Sequence, residues 1–142
     1  MLETLEIALG VKRTELPDEG LLSWSQIRNI PRDYVKFGAH TETHSILSRL
    51  SKEEARREIL ESKQRLEEVL GEKMNHFAYP NGEAGDFTEE HEQMVASAGF
   101  DSACSSILGL NDRQTNRYAL RRIYACEEPL ASFASRLVGI GS

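Results

Sequence analysis

The chain has 142 residues, with 17 Lys and Arg against 23 Asp and Glu and a formal net charge of −6. Its 39% apolar and 28% charged residues place it among folded globular chains rather than disordered or collagenous ones, at a length suited to one domain. The acidic balance argues against nucleic acid or a membrane surface as partner, since both call for a clustered basic face, and no apolar run reaches the roughly 18 residues of a membrane span.

Taken in chain order, residues 2–9 (LETLEIAL) read as a helix and Pro17-Asp18-Glu19-Gly20 as a turn. The first residues include Glu3 and Glu6 and lack the cationic start of a secretion signal, so the cytoplasm is the default compartment unless a longer parent chain carries an export signal. Ser23 and Gln26 fit a capping box for a short helix ending before Pro31. Residues 34–39 (YVKFGA) alternate apolar with polar and predict a strand, whose end presents His40-Thr41-Glu42-Thr43-His44.

A longer helix follows. Ser51 and Glu54 form a second capping box, Ala55, Ile59, Leu66 and Leu70 recur at the helical period, and Gly71 supplies a left-handed stop. On its outer face Glu53 with Arg57, Arg57 with Glu61 and Glu61 with Arg65 stand at i,i+4, each worth about 0.2–0.5 kcal/mol, which describes a solvated mesh of charge rather than a binding patch.

Residues 76–79 make the next strand, stopped by Pro80-Asn81-Gly82. Thr88 caps a helix through Met94, Val95 and Ala98 that Gly99 closes. Residues 100–104 and 120–124 read as strands, and Pro129 opens a last helix that turns Phe133 and Leu137 inward. Cys104 and Cys126 lack CxxC spacing and read as two buried thiols.

Strands and helices in alternation predict an α/β layer, and in such folds active sites gather at strand ends. The expected organisation is a single domain over residues 1–142, with a helical segment at 1–33 and β/α units at 34–142. His40 and His44 are the candidates for chemistry there. Neutral imidazole suits zinc and related divalent ions, and the hydroxyls of Thr41 and Thr43 are placed to orient the rings. By itself H-x-x-x-H also describes two hydrogen-bonded surface histidines.

Leu22-Ser23-Trp24-Ser25-Gln26-Ile27, then Phe37 to His44 with Leu47, Leu50 and Ser51, then Phe77-Ala78-Tyr79-Pro80-Asn81-Gly82, then Ala98-Gly99-Phe100, together resemble the polysaccharide deacetylases, the NodB-homology domain of carbohydrate esterase family four. The resemblance implies a distorted (β/α) barrel, here partial and lacking its N-terminal strands. It further implies a metal-dependent hydrolase that removes acetyl groups from N-acetylated amino-sugar polymers. His40 and His44 match the family's two metal-binding histidines, and zinc is the expected ion. Tyr79-Pro80-Asn81-Gly82 matches the motif in which a backbone N–H after the proline helps to hold the oxyanion, which assigns that donor to Asn81 beside Pro80 and Tyr79.

The family's Asp-Asp pair, giving base and third ligand, has no match in residues 1–39, Ala78 stands where an arginine often does, and no histidine follows His91. Asp86 and Glu42 are the carboxylates nearest the site in sequence. The expectation is therefore an N-deacetylase incomplete as this chain alone, its carboxylates coming from a missing N-terminal segment or from a partner in a homo-oligomer. The alternative is a non-catalytic carbohydrate-binding or structural remnant of the fold.

Overall fold

A computed structural model describes residues 21–124 and 129–139 of the chain, which divides into two units, Met1–Ile30 and Pro31–Ser142. The helix expected at 2–9, the turn at 17–20 and Cys126 lie outside the described residues.

In the first unit, helix α1 (Trp24–Asn29) starts as its sequence dictates. The Ser23 hydroxyl accepts the Gln26 N–H at 3.3 Å and the Gln26 side-chain oxygen accepts the Ser23 N–H at 2.8 Å. No residue of α1 is buried, and Trp24 keeps 39% of its surface exposed.

The second unit is a parallel sheet with helices packed on it. Its strands β1 (His76–Ala78), β2 (Ser102–Leu108) and β3 (Leu120–Arg122) lie in that order, all parallel. Helix α2 (Lys52–Leu70) precedes β1, a 3-10 turn (Leu47–Arg49) leads into it, α3 (Glu89–Ser97) joins β1 to β2, and α4 (Leu130–Leu137) follows β3. Helix α2 carries the capping box at Ser51 and Glu54 and ends on left-handed Gly71. Ala55 and Ile59 are buried, with Leu66 and Leu70 packed against the same core. Of the three outer ion pairs, Arg57 and Glu61 meet at 4.0 Å with both side chains largely exposed, as a solvated face should.

The core is Phe77 of β1 packed against Phe100 and Tyr79 at centroid distances of 5.5 and 5.3 Å, enclosed by Leu47, Ile59, Met74, Val95 and Ala103. Lys63 and Glu67 staple α2 to the chain entering β1. The ammonium donates to the Met74 carbonyl at 2.7 Å and lies over the Phe100 ring, while Glu67 accepts the Met74 N–H at 2.9 Å.

Several expectations need correction. The strand at 34–39 shrinks to one parallel bridge, Ala39 with Phe77, where the Ala39 N–H donates to His76 and the Ala39 carbonyl accepts from Ala78, both at 2.9 Å. Tyr34 and Val35 instead turn back on the Pro31 carbonyl and are exposed, Tyr34 at 89%, so the pattern meets the core only from Phe37 onward. Gly38 marks why the chain comes this close only here: a Cβ on it would lie 2.9 Å from the His76 carbonyl oxygen.

The strand read at 100–104 starts at Ser102 and runs on to Leu108, because the buried Ser105 satisfies its hydroxyl on the Leu120 carbonyl at 3.0 Å and so tolerates the interior. The strand read at 120–124 stops at Arg122. Cys104 is a half-buried free thiol rather than a buried one. Leu137 is 48% exposed and Phe133 half-buried, so α4 does not turn both inward.

Candidate active site

Parallel strands end together, and the polar residues following Ala39, β1 and β2 are therefore gathered along one edge of the sheet. The bridge at Ala39 sets His40 beside β1, where its Nδ1 lies 2.7 Å from the Ala78 carbonyl oxygen. A carbonyl only accepts, so Nδ1 carries the proton and Nε2 is left with its lone pair, the tautomer that a metal-ligating histidine needs. His44 comes back against it, the two ring centroids 4.8 Å apart at 74° and both side chains exposed.

Two imidazoles bound tetrahedrally to one zinc through Zn–N bonds of about 2.0–2.1 Å have centroids roughly 5 Å apart, so this pair fits one such ion. Among the described residues no third His, Cys, Asp or Glu joins them.

The turn that brings His44 back is strained, with Thr41 and His44 both at a φ of +60°. A β-branched residue rarely takes that conformation. The threonine hydroxyls do not orient the rings as expected: Thr41 donates to the His40 carbonyl at 2.6 Å, and Thr43 lies 2.8 Å from both Glu58 and Ser45. The residue that holds the loop is Glu58 of α2, which sequence reasoning missed. Its signal was available: Glu58 falls three residues after Ala55 and next to Ile59, on the apolar stripe of the helix where a carboxylate is out of place.

The proline turn is built differently. Tyr79 is buried, its hydroxyl donates to the Tyr118 carbonyl at 2.8 Å, its ring stacks on Phe87 at 4.0 Å, and burial pushes its ionisation well above the usual tyrosine range. Pro80 is fully buried beside it. Asn81 then takes a φ of +56° and Gly82 one of +74°, and the turn is tied to β2 by the Ser106 N–H on the Gly82 carbonyl at 2.8 Å and the Ser106 hydroxyl on the Asn81 carbonyl. The Asn81 N–H finds no acceptor among the described residues. Asn81 is an exposed residue, and an unspent backbone donor at the edge of the sheet can serve an oxyanion.

Neither nearby carboxylate reaches the imidazoles. Asp86 accepts the Glu83 N–H at 3.0 Å and lines an open hollow with Asn81, Glu83, Ser106 and Tyr124, while Glu42 lines another with Glu61, Gln64, Arg65 and Glu68. His76 pairs across the sheet with the Ser102 hydroxyl at 3.0 Å, and His91 serves the N-terminus of α3. Its Nδ1 accepts the Thr88 N–H at 3.0 Å, and burial lowers its basicity, partly offset by Glu90.

The model of one protein family, described as polysaccharide deacetylase, matches residues 9–103. The comparison with curated proteins finds no match. Among solved structures, the chain is similar to the Streptococcus pyogenes deacetylase PplD, solved in complex with acetate (TM-score 0.66, 23% identity, 78% of this chain and 47% of that one). It is also similar to the polysaccharide deacetylase BC0361 from Bacillus cereus (TM-score 0.68, 18% identity, 96% and 47%) and to the BpsB deacetylase domain from Bordetella bronchiseptica (TM-score 0.62, 15% identity, 78% and 51%). At these identities the likeness is one of fold, and the chain spans about half the length of these structures.

Proposed function

The chain belongs to the polysaccharide deacetylase family, and from that premise we propose that it carries the metal-binding and oxyanion-binding part of an N-deacetylase acting on N-acetylated amino-sugar polymers. The observation that carries the reading is the imidazole pair, 4.8 Å apart with the His40 tautomer set by Ala78, standing at the same sheet edge as the unspent Asn81 N–H. His40 and His44 would hold a divalent ion, zinc suiting two nitrogen ligands best. When bound, that ion supplies Lewis acidity to the amide carbonyl and to the attacking water.

The chain's own residues do the rest. Ala78 keeps His40 in the ligating tautomer, Glu58 holds the loop between the histidines, and Asn81 donates its backbone N–H to the oxygen that becomes negative as water adds. Tyr79 and Pro80 brace that donor from the core side. The base and a third, carboxylate ligand belong to chain outside the described residues or to a second polypeptide.

Calorimetric titration with zinc tests this. The full chain should bind zinc weakly, and His40→Ala and His44→Ala should each abolish the heat; indistinguishable isotherms for all three would overturn the reading and favour a non-catalytic remnant of the fold. Acetate release from N-acetylglucosamine oligomers should appear only when an aspartate-bearing segment completes the site.

A further inference from the structure

A buried carboxylate is costly unless something compensates it, and the usual compensation is a cation. Glu58 is 7% exposed, yet among the described residues it forms no ion pair. Its partners are three donors from one short stretch of chain. One oxygen accepts the N–H of Glu42 at 2.9 Å and the N–H of Thr43 at 2.8 Å, and the other accepts the Thr43 hydroxyl at 2.8 Å. Those donors lie between His40 and His44, inside the loop whose backbone is left-handed at Thr41 and again at His44.

A loop strained at two positions persists only where its surroundings over-determine it. From the front, the Ala78 carbonyl holds His40; from behind, Glu58 holds the two peptide groups that lead into His44. We propose that Glu58 is a positioning residue for the metal site, the charged clamp that keeps the His44 imidazole folded back against His40 so that one divalent ion can reach both. The assignment rests on the metal-binding reading above. Helix α2 thereby contributes to the site with no atom in contact with the ion, and buried Ala55 and Ser62 seat the helix on either side of Glu58.

The test compares four forms of the full chain: wild type, Glu58→Ala, Glu58→Gln and Ile59→Val. Two readouts are taken, zinc affinity by calorimetry and the imidazole C–H resonances of His40 and His44 in the metal-free chain. Glu58→Ala should weaken zinc binding by about tenfold to a hundredfold, the range of lost supporting contacts behind metal ligands, and shift both imidazole resonances.

Glu58→Gln keeps one oxygen for the two backbone donors while the Thr43 hydroxyl turns to Ser45, so it should recover affinity to within a few-fold of wild type. Ile59→Val lowers the melting temperature through the core alone and should leave both readouts unchanged. A folded Glu58→Ala chain with wild-type affinity and resonances, or an Ile59→Val chain showing the same losses, overturns the proposal. Should the alanine variant not fold, Glu58→Asp, which withdraws the carboxylate by one methylene, carries the same prediction. If wild type binds no zinc at all, the metal reading fails, and the metal-free resonances still decide whether Glu58 positions the rings.

Discussion

The two loops at the sheet edge solve one problem by opposite means. The proline turn after β1 is held by its own covalent chemistry and by its neighbour strand: Pro80 follows the last ladder residue, Gly82 allows a close approach, and Ser106 donates both its N–H and its hydroxyl to the turn's carbonyls. The histidine loop has no proline or glycine between His40 and His44 and takes its left-handed turns with ordinary residues, at the cost of needing a carboxylate from a helix to hold it. A turn made from backbone chemistry tolerates no added atom, whereas one made from a remote clamp fails when the clamp is removed.

Gly82→Ala should break the first loop most severely. A Cβ there lies 2.9 Å from the Ser106 nitrogen and 3.0 Å from the Tyr79 oxygen, at a φ of +74°. Backbone strain and overpacking together predict a loss of about 2–4 kcal/mol in urea unfolding. The metal-free His44 resonance should stay in place, since nothing in that turn touches Glu58. A loss below about 0.5 kcal/mol would mean that the turn is far more pliable than its packing indicates.

Tyr79→Phe is a finer probe of the same turn. It deletes the hydroxyl bond to Tyr118 while keeping the ring between Phe77 and Phe87, so about 0.5–1.5 kcal/mol of stability should go. Zinc affinity should be unchanged, because the hydroxyl is directed to the core; a changed affinity would place Tyr79 nearer the chemistry than its contacts do.

The smallest effect is expected where the proline loop runs into α3. His91 caps that helix as a neutral ring, accepting the Thr88 N–H on Nδ1, and burial holds its pKa below the ordinary histidine value of about 6.5. The unfolded chain therefore binds the proton first. This contribution to stability is complete above pH of about 6.5 and is lost as the pH falls from there through the folded-state value. His91→Gln, which keeps an acceptor without titrating, should remove that slope from a pH series of melting temperatures; an unchanged slope would assign it to another group.

What could be read without coordinates follows from the range of the interaction. The caps at Ser23 and Ser51 and the stop at Gly71 are decided within four residues and stand where their residues indicated, while β1 ends at Ala78, one residue short of the 76–79 read from the sequence. Residues 34–39 had the pattern of a strand but not the partner. Tyr34 and Val35 never come alongside β1, so alternation alone made no ladder beyond Ala39. The length of β2 was hidden for the converse reason, since two serines look like a strand end until the Leu120 carbonyl is there to receive one of them.

The sequence by itself determined the local pieces: which segments coil, where they stop, and that the chain carries two imidazoles four residues apart and, further on, a proline-glycine turn of the polysaccharide deacetylase pattern. Only the tertiary structure decided that the rings face each other, that Ala78 selects the His40 tautomer, and that a buried glutamate on α2 holds the loop between them. The physical reason is that capping and turn formation are settled by neighbours along the chain, whereas the direction of a side chain and the compensation of a buried charge depend on groups that folding alone brings within hydrogen-bonding distance.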